Sequence, residues 1–184
     1  MEIPHPRIII YLFFILAFLE RTLFNLGPNV ELVTLTMLAA SAYLSSKTTF
    51  KLIFLLMAAT DLIIGNTSIF LFTWSGFLLP LLVLPRLLRR PPFIFKATSL
   101  GVLSNLFFYL WTNFGVWLLD SWGMYTNDLP GLIKSLVMGL PFLKLQLAST
   151  FLFVPLGFSL INLSHLFIYK LDSFQKHPKI KAYP

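Results

Sequence analysis

The sequence predicts an all-α integral membrane bundle of six transmembrane helices, on three observations. Hydrophobic residues make up 57% of the 184 positions and only 11% are charged, whereas soluble domains carry charge at about a quarter of positions; mean hydropathy is +0.81. The apolar residues fall in runs near the ~20 that cross a bilayer core, parted by charge or by Gly, Pro and Asn. The basic residues crowd alternate connections, as they do where cytoplasmic loops collect Lys and Arg. No hydrophilic stretch suits a separate soluble domain, so residues 1–184 read as a single integral membrane domain, with 170–184 as a basic cytoplasmic tail.

The first span is expected over 8–26. Arg7 before an apolar run resembles a signal peptide, but Glu2 precedes it, no Ala-x-Ala site follows, and Glu20-Arg21 stands where small residues would be. The segment therefore reads as a retained helix. Spans follow over 30–46 and, more briefly, over 51–66. The fourth, 69–88, contains Pro80 and Pro85 and is expected to bend or end early. The fifth covers 97–119. The sixth, 144–169, carries Pro155 and Gly157, which predict a kink near its middle. Between the last two, Leu129 to Pro141 is apolar but interrupted by Pro130, Gly131, Gly139 and Pro141. It reads as an interfacial or partly re-entrant helix over the outer mouth, or else as a plain loop. Small residues at i, i+4 (Thr36/Ala40, Ser41/Ser45, Ala97/Gly101) would let helices approach closely.

Orientation follows from the 14 Lys and Arg. With the N-terminus inside, Arg7, Lys47, Lys51, Arg86, Arg89, Arg90, Lys96, Lys170, Lys176, Lys179 and Lys181 lie inside, and only Arg21, Lys134 and Lys144 lie outside. Both termini are then cytoplasmic in a multi-pass protein of the cell membrane. Tyr11, Tyr43 and Tyr169 fall near the inner boundary, and Trp122 and Tyr125 near the outer. The net charge of +7 reflects these loops, and no nucleic-acid partner is expected.

Polar residues collect toward the outer side. The first connection holds Glu20, Arg21, Asn25, Asn29 and Glu31; the third span holds Asp61 and Asn66; the connection after the fifth adds Tyr125, Asn127 and Asp128. On a helical projection of the fifth span, Asn105, Tyr109, Thr112, Asn113, Val116 and Asp120 share one sector, and Phe107, Leu110, Trp111, Phe114 and Leu118 lie opposite. Such a stripe inside a bilayer must pack against other helices or line a cavity. Asn113, Trp117 and Asp120, spaced i, i+4, i+7, place an amide, an indole and a carboxylate on one flank. They are the leading substrate-binding candidates, with Tyr109 and Tyr125 beside them. Asp61 and Arg21 add one charge of each sign, although Asp61 also suits a helix end reaching interfacial water and Glu20-Arg21 a solvated one. The pocket is expected between the third, fifth and sixth spans, under the first connection and the Leu129 to Pro141 segment.

Catalytic chemistry finds little support, and the chain is not expected to be an enzyme or to hold a cofactor. There is no cysteine, and His5, His165 and His177 are scattered, so no metal-ligand cluster is expected. Gly-x-Ser-x-Gly, a Walker loop and His-Glu-x-x-His are all missing from the sequence. Active transport would need energy from a partner or an ion gradient.

At Thr112-Asn-Phe-Gly-Val-Trp-Leu118, with Met124-Tyr125 and Gly131-Leu-Ile-Lys-Ser-Leu-Val-Met-Gly-Leu-Pro-Phe142, the chain resembles a family of small prokaryotic membrane proteins that is similar to the substrate-binding S components of energy-coupling factor transporters. Pro28-Asn29-Val30 and Thr60-Asp61-Leu62 also fit that pattern. The resemblance implies six spans, a ligand pocket open to the outside, and uptake of a vitamin-like or other micronutrient powered by a separate coupling transmembrane subunit and ATPase subunits. The chain departs from the pattern at Leu145-Gln146-Leu147 and Ser149-Thr150, where relatives show Asn-Thr-Leu and Gly-Asp. It also has Ala17 alone where many S components pair alanines on the first span. Two other readings stay open: a structural or assembly protein whose stripe only packs helices, and a small ion-coupled carrier using Asp61 and Asp120.

Overall fold

The computed structural model describes residues 5–65, 67–88, 93–120 and 123–176, with side chains from 6 to 167. It is all-helical, with no strand among the described residues. Helix α1 (His5–Leu19) closes with a π-type turn over Glu20–Phe24. Asn25, at φ +34°, then turns the chain and donates its N–H to the Glu20 carbonyl at 2.8 Å. Helix α2 (Val33–Tyr43) has only 11 residues, ~16 Å at 1.5 Å each. Yet every residue from Val33 to Ser41 is buried. It is the central post of the fold, with α1, α3, α6 and α7 around it. Its Thr36 hydroxyl bonds the Phe13 carbonyl of α1 at 3.2 Å.

Helix α3 (Ser46–Ile64) starts at Ser45, whose hydroxyl accepts the Thr48 N–H at 3.2 Å, and stops at Gly65, φ +79°. Helix α4 (Phe70–Leu78) passes through a 3₁₀ turn (Leu79–Leu82) into the short α5 (Leu84–Leu87). Pro80 and Pro85 stand in the first turns of these two pieces, because a proline has no N–H to continue a ladder but fits a first turn; the fourth span is thus interrupted where the sequence predicts a bend or an early end. Helix α6 (Ile94–Leu119) ends at Asp120, φ +34°.

Helix α7 runs from Leu129 to Lys176, 48 residues without a break, with Pro141 and Pro155 inside it. The expected interfacial segment and the expected sixth span are thus one helix. Part of the expected tail, 170–176, is its last turns, and 177–184 lie outside the described residues. Tertiary contacts explain why the breakers do not break it. Tyr109 donates to the Leu136 carbonyl at 2.6 Å, and Ser135 donates to the Asn113 carbonyl at 2.8 Å. These bonds lash the segment alongside α6. Gly139 serves as a close-approach point, since a Cβ there would come within 2.4 Å of Asn113 Oδ1. Pro130 sits in the first turn, where no N–H is needed.

Among the described residues, three helical segments are long and apolar enough to cross a bilayer: Phe70–Leu87, Ile94–Leu119 and Leu129–Phe167. Their outward surfaces are apolar, with Leu103, Leu110, Phe151, Leu156, Leu163 and Phe167 all more than half exposed. Water does not favour such a surface, and this is a membrane protein. α1 and α2 are shorter, and α3 carries Lys47, Lys51 and Asp61.

Cross-helix contacts define two ends. Asn113 meets Ser135 and Asn105 meets Thr150, so α6 and α7 are antiparallel; Thr34 meets Asn105 and Leu38 meets Gly101, so α2 and α6 are too. Residues 20–32, 61–65, 67–73, 113–120 and 123–138 share one end. The start of α3, the end of α5 and the start of α6 share the other.

Candidate functional site

A cavity of about 490 Å³ opens at the first of these ends. Its main wall is α6, where Phe108, Tyr109, Thr112, Asn113 and Val116 lie along the polar stripe. Opposite stand Met138, Gly139, Phe142, Leu143 and Gln146 of α7. The 25–32 connection supplies Asn29, the 120–128 connection supplies Met124 and Tyr125, and the start of α4 supplies Ile69 and Thr73. The third side is therefore formed by the fourth expected span, not the third. The 3.6-residue repeat is enough to explain the stripe: residues three and four apart lie on the same face, and α7 leans on that face.

The polar groups of the cavity are uncharged amides and hydroxyls, and among the described residues no Asp, Glu, Lys or Arg lines it. Several are already engaged. Tyr109 donates to Leu136, the Thr112 hydroxyl to the Phe108 carbonyl at 2.8 Å, and Asn113 Nδ2 to the Tyr109 carbonyl at 2.8 Å. Gln146 differs from these. Its side chain is 1% exposed, and its Oε1 has no hydrogen-bond partner among the described residues. A buried orphan acceptor costs about 1–3 kcal/mol, and among the described lining residues Gln146 carries one.

The remaining predicted site residues are placed elsewhere. Trp117 donates its indole N–H to the Thr126 carbonyl at 3.0 Å. Asp120 Oδ1 accepts the N–H groups of Met124 and Tyr125 at 2.8 and 3.1 Å. Both hold the 120–128 connection in shape, and neither lines the cavity. The spacing that put them on the flank of Asn113 is correct for a helix, but the helix ends at Leu119 and the loop consumes both groups. Lys134 adds to this fastening, donating to the Met124 carbonyl at 3.1 Å with its ammonium 5.8 Å from the Tyr125 ring centre.

Arg21 and Asp61 pair with each other, Nη2 to Oδ1 at 2.9 Å. Arg21 Nε also donates to Thr60 at 2.9 Å, and Trp74 donates to Asp61 Oδ2 at 2.5 Å. This clamp ties the end of α1 to α3 and α4, away from the cavity. Asn66, Arg89, Arg90 and Trp122 lie outside the described residues.

A third polar group runs through the interior. Glu31 accepts the Thr34 N–H at 2.7 Å, and Thr34 Oγ1 lies 2.5 Å from Glu31 Oε1 and 3.0 Å from Asn105 Oδ1. Asn105 Nδ2 in turn donates to Thr150 Oγ1 at 2.5 Å and to the Gln146 carbonyl at 3.3 Å. Glu20, 5% exposed, is buried at the same end with Oε2 unpartnered among the described residues. The chain Glu31, Thr34, Asn105, Gln146 thus connects the first connection to the cavity wall. Sequence reasoning missed Gln146 and Thr150 as site residues. Their signal was a run of three polar side chains, Gln146, Ser149 and Thr150, at i, i+3, i+4 within an apolar helix.

Outside the helices proper, Asp128 caps α7. Its Oδ1 accepts the Gly131 N–H at 2.8 Å and the Thr126 hydroxyl at 2.6 Å. The Thr126 hydroxyl first, and then the Gly131 amide, hold its carboxyl below the usual aspartate range. Among the described residues no group of three or more His, Asp or Glu is placed to hold a metal.

Comparison with known proteins adds one finding. The model of the family of unknown function DUF6580 matches residues 3–171, and the chain belongs to that family. No curated protein matches it. No solved structure does either.

Proposed function

We propose that this member of DUF6580 is a substrate-capturing membrane subunit for uptake of an uncharged, partly apolar small molecule. One observation carries the reading. A cavity of about 490 Å³, within the ~300–1,000 Å³ of small-molecule sites, is walled by amides, hydroxyls and aromatic rings and, among the described residues, by no ionisable acid or base other than tyrosine. An occupant with hydrogen-bond donors would meet the amides and hydroxyls of the wall, with Gln146 Oε1 within its reach once that side chain turns toward the cavity, and its apolar part would lie on Phe108, Phe142 and Met138. A zwitterion or metal ion would find no counter-charge, because Arg21, Asp61 and Asp120 are spent on each other and on the loop.

In the same reading the bundle crosses the membrane six times, as α1, α2, α3, α4 with α5, α6 and α7. Both termini are cytoplasmic and the cavity opens outward. α2 can be short because protein, not lipid, surrounds it. Energy would come from a separate coupling subunit and ATPases, as in the energy-coupling factor transporters that the sequence resembles.

One observation favours a second reading. Asn105, Tyr109 and Ser135 bond α6 to α7, as they would in a protein whose stripe only holds helices together. Mass spectrometry of small molecules that co-purify with the full chain separates the two. The proposal expects an uncharged compound retained by the natural protein and lost from Gln146→Leu. Retention that is equal in both, or no compound from protein gently purified out of its host, would leave the packing reading ahead.

A further inference from the structure

At the end of the bundle opposite the cavity, a second concavity of about 440 Å³ lies between the start of α3 and the 81–86 stretch. Lys47 and Lys51, one turn apart on the same face of α3, and Arg86 from α5 stand at its rim. Phe50, Leu81 and Leu82 form its apolar side. The charge is unbalanced. The sequence has no Asp or Glu between Glu31 and Asp61, nor between Asp61 and Asp120, and the ion pair Arg21–Asp61 belongs to the other end. Lys47 and Lys51 have no carboxylate partner among the described residues, while Arg86 donates to the Leu82 carbonyl at 2.6 Å. Two lysines at i, i+4 repel, and a lysine in the first turn of a helix also opposes its macrodipole. An anion at this place would relieve both.

Phe50 and Phe54 stack along α3 with ring centres 6.5 Å apart, and Phe50, Phe54, Leu55 and Leu82 are all substantially exposed. A cationic rim therefore leads into an exposed aromatic and aliphatic track running along the helix toward the middle of the bundle. A soluble anion would use only the rim. The geometry points to a binding site for a single anionic glycerophospholipid, its phosphate among Lys47, Lys51 and Arg86 and one acyl chain along Phe50, Leu82 and Phe54. This site is independent of the cavity and of whatever that cavity holds.

The test uses the full chain in detergent, with native mass spectrometry during titration with phosphatidylglycerol or phosphatidylcholine of equal chain length. The natural protein should retain phosphatidylglycerol in preference, and Lys47→Gln with Lys51→Gln and Arg86→Gln together should lower that preference about tenfold or more, since each cation contributes near an anionic surface. The single change Lys51→Gln should lower it partly, which keeps the test valid if the triple variant folds poorly. Inorganic phosphate in excess should not displace the lipid. Equal retention of the two lipids, an unchanged preference in both variants, or displacement by phosphate alone would overturn the proposal.

Discussion

At the scale of single residues, the interior network and the cavity wall make separate predictions for Glu31 and Gln146. Thr34 has one hydroxyl hydrogen and two acceptors beside it, Glu31 Oε1 and Asn105 Oδ1. The Asn105 amide cannot simply reverse, because its Nδ2 faces the Gln146 carbonyl, which only accepts. A donor at position 31 would complete the chain. Glu31→Gln supplies one and keeps an acceptor for the Thr34 N–H, so its melting temperature should stay within a few degrees of the natural protein. Glu31→Ala leaves Thr34 and Asn105 short of partners and should cost about 1–3 kcal/mol in the same melt. Gln146→Leu removes a buried orphan acceptor, so stability should hold or rise while ligand retention falls. A fall in both would make Gln146 a packing residue. Gln146 was legible in the sequence only as one of three polar side chains in an apolar helix; that its oxygen lacks a donor depends on which side chains α6 and the connections bring near it.

The elements α6 and α7 depend on glycine where they and α4 meet. A Cβ at Gly115 would fall within 2.2 Å of the Phe72 ring, and one at Gly139 within 2.4 Å of Asn113 Oδ1. Overpacking of this kind costs about 1–3 kcal/mol. Gly115→Ala and Gly139→Ala should each lower thermal stability by that order, and Gly139→Ala should also disturb Asn113 in the cavity wall. The N-terminus of α7 has its own control. Asp128 has a lowered pKa through the Thr126 and Gly131 hydrogen bonds, so its contribution is present above the unfolded value of about 3.9. That contribution fades as pH falls through the lower folded value. The stability difference between the natural protein and Asp128→Asn should be steady above about pH 5 and shrink in acid. A difference that grew in acid would contradict the cap. Gly131, Gly139 and Pro141 looked like interruptions in the sequence because Gly and Pro signal turns locally. In the fold, two of them are contact points and the third is carried by the bonds to α6.

For the whole molecule, orientation is read directly by site-specific labelling. The chain has no cysteine, so single introduced cysteines label without background. Asn127 lies in the exposed connection at the cavity end, and Ser45 is exposed at the opposite end. With both termini cytoplasmic, an impermeant thiol reagent added outside cells should modify Asn127→Cys and spare Ser45→Cys. The reverse pattern would put the cavity on the cytoplasmic side and remove the basis for an uptake reading.

Composition and periodicity alone determined that this is a helical membrane protein, that α6 has one polar and one apolar face, and that Asn113, Tyr109 and Tyr125 belong to one polar region. Those properties follow from local physics: apolar area must avoid water, and a helix repeats every 3.6 residues. Only the tertiary structure decided that the short α2 is the buried centre, that α7 is continuous from Leu129, and that no charged side chain among the described residues lines the cavity. The sequence counts Arg21, Asp61, Trp117 and Asp120 as available, but a polar group is available only if no nearer partner takes it. Arg21 finds Asp61 across 40 positions of sequence, a pairing that no local pattern encodes and that leaves the cavity to amides and hydroxyls.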